Sequence, residues 1–449
     1  MQQTQIDGLP WPRRGFAFAA LVLAMTLTVM DSMAVAMALP QIAADFGIDP
    51  ATSTWVVNGY QLAIISAMLP LSALSQIVGY HRVYLFGLIL FAVMALVCST
   101  TDSFGLLVAA RALQAVGAAS LMSVNLALLR HIFPSRLLGR ALGVNAMAVA
   151  LATTMGPTVA GVIMAVGSWQ GIFLMGAVLA LPAAAAGQAF FPRSERVARR
   201  FDFLGALFSA MTFGALLMTA SAVAHGWSLW AALGFLLVGL GAGTLLVRHM
   251  RGDPAPLLPL DLLAIPVFRL SLMGSLCAFS SQMMMFVSLP FYLQVVLGMT
   301  ALEAGLVFMA WPLALAVCAP LAGLVADRIP PGPLGMVGMG MMAAGLALVV
   351  ALPEAPTQAD IVWRLALCGA GFGLFQTPNN RAMMSAAPGL RSSAASGALG
   401  TARLLGQALG TAAAALALAG PSADGWVMAP MLGVGLCLTG AFVSILRKV

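Results

Sequence analysis

The stretch FAFAALVLAMTLTVMDSMAVAMAL, from Phe16 to Leu39, decides the fold class of this chain. Its only charged side chain is Asp31. About 20 apolar residues suffice for a helix to cross the hydrocarbon core of a bilayer. Arg13 and Arg14 precede the run, and no small-residue cleavage site follows it. We therefore interpret it as a membrane anchor that is not removed by processing.

The whole chain has the composition of a membrane protein. Of its 449 residues, 61% are hydrophobic and 8% are charged, against about 25% charged in soluble domains. Between its apolar runs there is no room for a soluble domain of appreciable size. We predict fourteen transmembrane spans: 16–39, 54–78, 83–100, 105–129, 140–166, 170–192, 202–223, 228–247, 268–296, 303–326, 335–352, 361–385, 394–420 and 426–446.

Among the loops between these spans, the basic residues lie on only one side of the membrane. Seven loops that alternate along the chain contain no Lys or Arg: 40–53, 101–104, 167–169, 224–227, 297–302, 353–360 and 421–425. The other side carries all but four of the 21 basic residues, and the positive-inside rule makes that side cytoplasmic. We predict a multi-pass protein of the bacterial inner membrane with both termini in the cytoplasm. The net charge of +7 could indicate nucleic-acid binding. Its distribution over short loops on one side of the membrane argues against that interpretation.

The cysteines predict neither disulfides nor a metal site. They are odd in number, scattered and confined to apolar runs, where they are expected to act as small packing residues. The five are Cys98, Cys277, Cys318, Cys368 and Cys437. We predict no metal and no other cofactor.

An internal repeat divides the chain. The loop 72–82 aligns with the loop 323–328 at an offset of 251 residues. The same offset brings Arg111 within two residues of Arg364. Two copies of one six-helix unit, with their site at the interface, are typical of secondary transporters. The predicted division is a six-helix bundle over 1–192, two inserted helices over 193–267 and a second six-helix bundle over 268–449.

Six short motifs follow one another along the spans. They are MDSMAVAMALP (30–40), WVVNGY (55–60), RALQAVG (111–117), GPTVAG (156–161), LPFYLQVVLG (289–298) and RLLGQALG (403–410). Together they resemble the 14-helix drug:proton antiporter branch of the major facilitator superfamily over nearly the whole chain. The resemblance implies an all-α polytopic membrane protein of 14 transmembrane helices: two pseudo-symmetric six-helix bundles plus two inserted helices.

The sequence departs from the family pattern at one motif. The loop after the second helix of each half normally carries Asp and then Arg. In the family this motif holds the inward-closed or outward-facing arrangement through charge contacts with neighbouring helices. The second half keeps them as Asp327 and Arg328, whereas the first half has Gln76 and Ile77. We therefore expect a weaker latch in the first half, or one that uses Arg82 alone.

Asp31 and Arg111 are the candidate proton-coupling residues. A carboxylate at membrane depth costs about 3 kcal/mol or more to insert, and such residues usually serve a proton, an ion or a charged ligand. Both residues lie roughly 9–12 Å from the outer ends of their spans, so a pairing is expected. Two alternatives stay open: Asp31 paired purely for packing, and Arg111 bonded only to backbone carbonyls.

Two further sets of residues complete the predicted site. The aromatic and amide side chains expected to contact substrate are Tyr60, Gln61, Asn125, Gln282, Phe286, Tyr292, Gln294, Trp311 and Phe375. The residues expected to act in gating are Gly156, Pro157, Asp327, Arg328, Arg403, Gly406 and Gly410. A plain packing kink is the alternative for Gly156 and Pro157. Helix-start roles are expected for Asp202, Asp327 and Glu303, although Glu303 could also meet an entering substrate.

These features predict a proton-coupled antiporter that exports lipophilic, often cationic compounds. Its partners would be drug-like small molecules, protons and the bilayer, and we expect a monomer. With one carboxylate we expect one proton per cycle, so export of a monovalent cation would move no net charge. The alternative in the same class exports a specific endogenous metabolite or a neutral compound. A polytopic membrane enzyme is disfavoured, because none of the four histidines lies at membrane depth.

Overall fold

We describe a computed structural model over residues 8–192, 201–250, 260–326, 328–386, 392–419 and 425–447. Within these ranges the chain is almost entirely helical. A single 3₁₀ turn covers Leu260–Ala264, and a π-helical turn over Tyr292–Val296 extends the tenth α-helix. The α-helices are α1 Arg13–Phe46, α2 Pro50–Ser53, α3 Trp55–Val78, α4 Tyr80–Thr100, α5 Phe104–Ile132, α6 Ser135–Val166, α7 Gln170–Phe190, α8 Phe203–Ala224, α9 Leu229–Met250, α10 Pro266–Phe291, α11 Ala301–Phe308, α12 Ala310–Val325, α13 Pro331–Val350, α14 Gln358–Ala386, α15 Ser392–Leu418 and α16 Gly425–Ile445.

Each of the fourteen predicted spans falls on one helix or on two consecutive helices. Among the described residues, eleven spans are long and apolar enough to cross a membrane, or twelve if the bent helix α6 counts as one. The helices α14 and α15 are not among them. A multi-pass membrane protein is therefore established, but length and composition alone do not reach the predicted fourteen crossings.

Polar residues at the helix ends fix where the helices begin and stop. Gly47, with φ of 61°, ends α1 by donating its N–H to the carbonyls of the preceding turn. Asp202 caps α8 through the Gly205 amide at 2.8 Å. Thr300 and Glu303 form a reciprocal capping box at the start of α11. Both carboxylates thus have the helix-start geometry that stabilises an N-terminus.

Helix packing repeats between the two parts of the chain. In the first part, α5 packs on α3 and α4, α7 packs on α1 and α4, and α1 packs on α6. In the second part, α14 packs on α12 and α13, α16 packs on α10 and α13, and α10 packs on α15. Close backbone crossings of Gly87 on Gly117 and of Gly338 on Gly371 occupy matching places in the two sets.

The helices α8 and α9 form a hairpin that contacts both parts. They pack on each other, and α8 also contacts α3 and α15. The hairpin turn is anchored by His225, whose Nε2 lies 3.1 Å from the Ala51 carbonyl oxygen. Its ring also stacks on Trp55 with 4.8 Å between centroids. The hairpin is thereby anchored to the start of α3.

We call the helix ends near Arg13, Arg82 and Arg130 the basic end, and the opposite ends the basic-free end. Side chains from both parts of the chain meet at the basic-free end. There Gln294 Nε2 donates to the Met37 carbonyl at 3.0 Å, and Thr158 Oγ1 donates to the Gly305 carbonyl at 3.1 Å. A continuous buried apolar cluster, with members from α1, α7, α10 and α14, surrounds these contacts.

Candidate functional site

Asp31 and Arg111 form a buried ion pair. Arg111 Nη1 donates to Asp31 Oδ2 at 2.6 Å, and the two residues expose 0% and 3% of their surfaces. Gln114 joins both partners: its Oε1 accepts from Arg111 Nη1 at 2.7 Å, and its Nε2 donates to Asp31 Oδ1 at 3.3 Å. Both carboxylate oxygens of Asp31 are therefore engaged, as a buried charge requires.

Aromatic rings and one backbone carbonyl hold the guanidinium in place. Its central carbon lies 4.1 Å from the Tyr60 ring centroid and 5.3 Å from that of Phe173. Arg111 Nε also donates to the Val56 carbonyl at 3.4 Å. Ring faces attract cations most strongly where water is excluded. The ion pair is thus enclosed by α1, α3, α5 and α7.

Small residues let the neighbouring helices come close to Asp31. A Cβ at Gly156 of α6 would lie 2.8 Å from Met33 Cβ and 3.2 Å from the Met30 carbonyl oxygen. A Cβ at Gly176 of α7 would lie 4.0 Å from Asp31 Oδ1. Glycines of this kind allow close backbone approach between membrane helices. The sequence thereby packs two helices tightly around the carboxylate.

A cavity of about 560 Å³ lies between the two parts of the chain. Its walls come from α1, α3, α5 and α6 on one side and from α10, α12, α14 and α15 on the other. Apolar side chains such as Met33 and Phe372 alternate with amides. The described polar lining residues are Thr28, Ser32, Tyr60, Gln61, Asn125, Asn145, Thr153, Gln282, Gln376, Thr377, Asn380, Arg403 and Gln407.

Neither member of the ion pair is among the described lining residues of the cavity. Tyr60 is the link, because it lines the cavity and also stacks on Arg111. Ser32, which follows Asp31 in the chain, lines the cavity as well. The carboxylate therefore lies behind the cavity wall, one residue away from it.

Four of the nine residues predicted to contact substrate line the cavity: Tyr60, Gln61, Asn125 and Gln282. The others lie elsewhere. Phe286 packs edge-to-face on Trp311 at 5.4 Å, and Tyr292 stacks on Trp426 at 3.7 Å. Gln294 bonds the Met37 carbonyl at the basic-free end. Phe375 is buried against Gly335 and Arg447.

The described residues of the predicted gating set fall into four places. Backbone contacts between the two parts involve Pro157, whose carbonyl oxygen would lie 2.9 Å from a Cβ at Gly305. Gly406 and Gly410 let α15 approach α10, as Gly156 lets α6 approach α1. Arg403 lines the cavity. Arg328 is exposed in the turn after α12, and Asp327 lies outside the described residues.

Sequence reasoning did not assign Gln114, Phe173, Asn145 or Gln407 to the site. Gln114 follows Arg111 by three residues, which places the two on one helix face, so that signal was readable. Asn145 and Gln407 are isolated amides in apolar helices, and amides at that depth usually face protein or water. Phe173 carried no signal, because one phenylalanine in an apolar span resembles any other.

Comparison with known proteins places the chain in a family. Residues 21–411 match the model of the Major Facilitator Superfamily. The chain belongs to this superfamily. It is 44% identical over 100% of its length to YebQ of Escherichia coli strain K12, described as an uncharacterized transporter, and covers 98% of that protein. It is 30% identical to LfrA of Mycolicibacterium smegmatis, described as a multidrug efflux pump, with 91% of this chain and 82% of LfrA aligned.

Solved structures carry the same fold. A bacterial homologue of the human lysosomal transporter Spinster, in an inward-facing and occupied conformation, superposes with a TM-score of 0.73 at 14% identity. The match covers 98% of this chain and 97% of that one. At this identity the likeness concerns the fold alone. The protein is thus a multi-pass membrane transporter of the major facilitator superfamily, and its family consists of transporters and not of enzymes.

Proposed function

We propose that this protein is a proton-coupled antiporter that exports lipophilic compounds from the cytoplasm by alternating access. The observation that carries the proposal is the buried Asp31–Arg111 pair directly behind the wall of the central cavity. A transporter that only bound substrate would have no need for a carboxylate enclosed by four helices. The similarity to a multidrug efflux pump supports the export of drug-like compounds.

Protonation of Asp31 is the proposed switch. A proton on the carboxylate removes the charge that Arg111 Nη1 contacts at 2.6 Å. The guanidinium would keep Gln114, the Val56 carbonyl and the rings of Tyr60 and Phe173. Removing one member of a buried ion pair generally costs about 3–5 kcal/mol. Proton loading would therefore disfavour this conformation relative to one in which the Arg111 charge is better solvated.

The arrangement of the two parts supports alternating access. They contact each other at the basic-free end, while the cavity extends from the middle of the helices toward the basic end. With the basic end in the cytoplasm and fourteen crossings, this conformation is inward-facing. The repeated packing supports a division into bundles 1–192 and 268–449, with 193–267 inserted. Proline and glycine on α6 would let that helix move against α1 and α11.

The cavity lining supports a lipophilic substrate but gives no reason to favour a cationic one. The cationic class expected from the sequence depended on one acid in the cavity and on aromatic ring faces. Both Asp31 oxygens are instead engaged by Arg111 and Gln114, and no Asp or Glu is among the described lining residues. The amide-rich lining supports a second candidate, export of one specific metabolite or neutral compound with several hydrogen-bonding groups.

A transport assay tests the proposal. Purified protein in proteoliposomes, given an imposed pH gradient, should accumulate a lipophilic fluorescent compound and release protons when substrate is added. Asp31→Asn should abolish both signals, because the amide cannot carry the proton, while Asp360→Asn should keep them. Asp360 is the matched control, since its carboxylate only caps α14 and pairs with Arg364 on the same helix. Full gradient-driven transport by Asp31→Asn would refute the coupling role.

A further inference from the structure

Arg403 puts a positive charge into the central cavity. It lies eleven residues after Ser392, the start of α15, which corresponds to about 16 Å along the helix. It is the one charged side chain among the described lining residues. Its Nε is buried and has no hydrogen-bond partner. Among the described residues, no carboxylate lies within ion-pair distance of its guanidinium.

An unpaired guanidinium at this depth is unusual, because buried charges are normally paired. Asp31 is not available, since Arg111 and Gln114 engage both of its oxygens. The charge of Arg403 is therefore left without a counter-charge from the described part of the protein.

Amides in the same cavity are also unsatisfied. Asn125 on α5, Asn145 on α6 and Asn380 on α14 each have a buried side-chain oxygen without a hydrogen-bond partner. All three line the cavity with Arg403. The two ends of an amide can exchange places by rotation, so each group can present either a donor or an acceptor to a ligand.

We infer that the cavity binds an amphiphilic organic anion, whose carboxylate is held by Arg403 and whose apolar body lies against the methionine and phenylalanine side chains. This deepens the proposed function and rests on it for the direction of transport. The planar guanidinium fork matches a carboxylate in a bidentate pair. One positive charge balances a monoanion, whereas a lipophilic cation would meet a like charge with no lining acid to offset it.

A matched set of probes tests the inference. Pyrenebutyrate, its neutral amide and the corresponding pyrenebutylamine share one ring system and differ in charge. Their binding to the full-length protein in lipid nanodiscs is measured by pyrene fluorescence without any gradient. The wild type should bind the carboxylate at least tenfold more tightly than either other probe.

Substitutions of arginine test which residue causes the preference for the carboxylate probe. Arg403→Gln should bring the three affinities to within about threefold of one another. Arg403→Lys keeps the charge but loses the fork, and should give an intermediate preference. Arg364→Gln is the matched control, because Arg364 pairs with Asp360 on its own helix outside the cavity; it should keep the full preference.

Three results would overturn the inference. These are equal wild-type affinities, tightest binding of the amine, or a uniform loss with all three probes in Arg403→Gln, which would indicate a structural role. If the glutamine variant does not fold, the wild-type and Arg403→Lys affinities decide. Failure of the proposed function has a different signature: carboxylate-selective binding without gradient-driven transport. Proton-driven transport of the amine alone would instead agree with the proposed function and contradict the inference that the cavity binds an anion.

Discussion

The guanidinium carbon of Arg111 lies 4.1 Å from the ring centroid of Tyr60, so one aromatic face joins the ion pair to the cavity wall. Tyr60 is 1% exposed, and its hydroxyl is buried without a hydrogen-bond partner. In this conformation the ring face contacts Arg111, whereas the hydroxyl makes no hydrogen bond. A substrate that moves the ring would change the surroundings of Arg111, which provides a physical route from substrate binding to Asp31.

Tyr60→Ala and Tyr60→Phe should behave differently. The alanine variant removes the ring from Arg111, a contact generally worth about 0.5–2 kcal/mol, and opens a path for water from the cavity. We expect a proton leak in proteoliposomes without substrate, detected by an internal pH dye. The phenylalanine variant keeps the ring and should remain tight. A leak of equal size in both variants would assign the role to the hydroxyl.

Gly156→Ala should impair transport through helix packing. The new Cβ would meet Met33 Cβ at 2.8 Å and the Met30 carbonyl oxygen at 3.2 Å. Overpacking of this kind generally costs about 1–3 kcal/mol. We expect a lower unfolding temperature and a transport rate reduced several-fold. Gly234→Ala is the control, since nothing lies within 4 Å of the Cβ position there. Equal rates in the two variants would contradict a role for this contact.

A disulfide across the basic-free end should lock the conformation. A Cβ at Gly305 would lie 3.3 Å from Thr158 Cα, so the two Cα atoms lie less than about 5 Å apart, at the short end of the range that a disulfide spans. In a background with the five native free cysteines replaced, oxidised Thr158→Cys/Gly305→Cys should lose transport but retain probe binding. Reduction should restore transport. Undiminished transport in the fully oxidised protein would mean that this contact need not open.

Substitutions of Gln282 and Phe286 should show whether a ligand binds in the cavity or on the buried aromatic cluster. Gln282 lines the cavity, whereas Phe286, one helical turn further on α10, packs on Phe308 and Trp311. Gln282→Ala should weaken probe binding several-fold with little change in thermal stability. Phe286→Ala should lower the free energy of unfolding by about 3–5 kcal/mol, while Phe286→Leu should keep probe affinity within twofold. The reverse pattern of affinities would place the binding surface on the aromatic cluster.

Much of the membrane organisation could be predicted from the sequence. Every predicted span lies on a helix, because runs of about 20 apolar residues have no other way to satisfy their backbone in lipid. The family was also predicted correctly, since its motifs recur in order from Met30 to Gly410. The crossing number of fourteen stays a prediction, because length and composition identify only eleven or twelve spans among the described residues.

The residues predicted to contact substrate divide into two groups in the structure. Aromatic residues were favoured for their ring faces, yet Phe286, Trp311 and Phe375 fill the interior of the second part of the chain. A buried aromatic residue and a cavity-lining one have the same sequence context, and only the helix rotation separates them. Arg403, which was predicted to act in gating, also lines the cavity.

The sequence by itself determined the membrane helices, the family and the presence of one costly carboxylate at Asp31. These depend on composition, spacing and local motif, which the chain carries directly. Similar depths in the membrane already predicted that Asp31 and Arg111 pair, whereas only the tertiary structure decided which way the pair faces. Helix rotation and the close approach permitted by Gly156 and Gly176 turn Asp31 toward Arg111 and Gln114 and away from the cavity. The same rotations leave Arg403 facing the cavity, and no pattern along the chain specifies how far each helix is rotated about its own axis in the packed bundle.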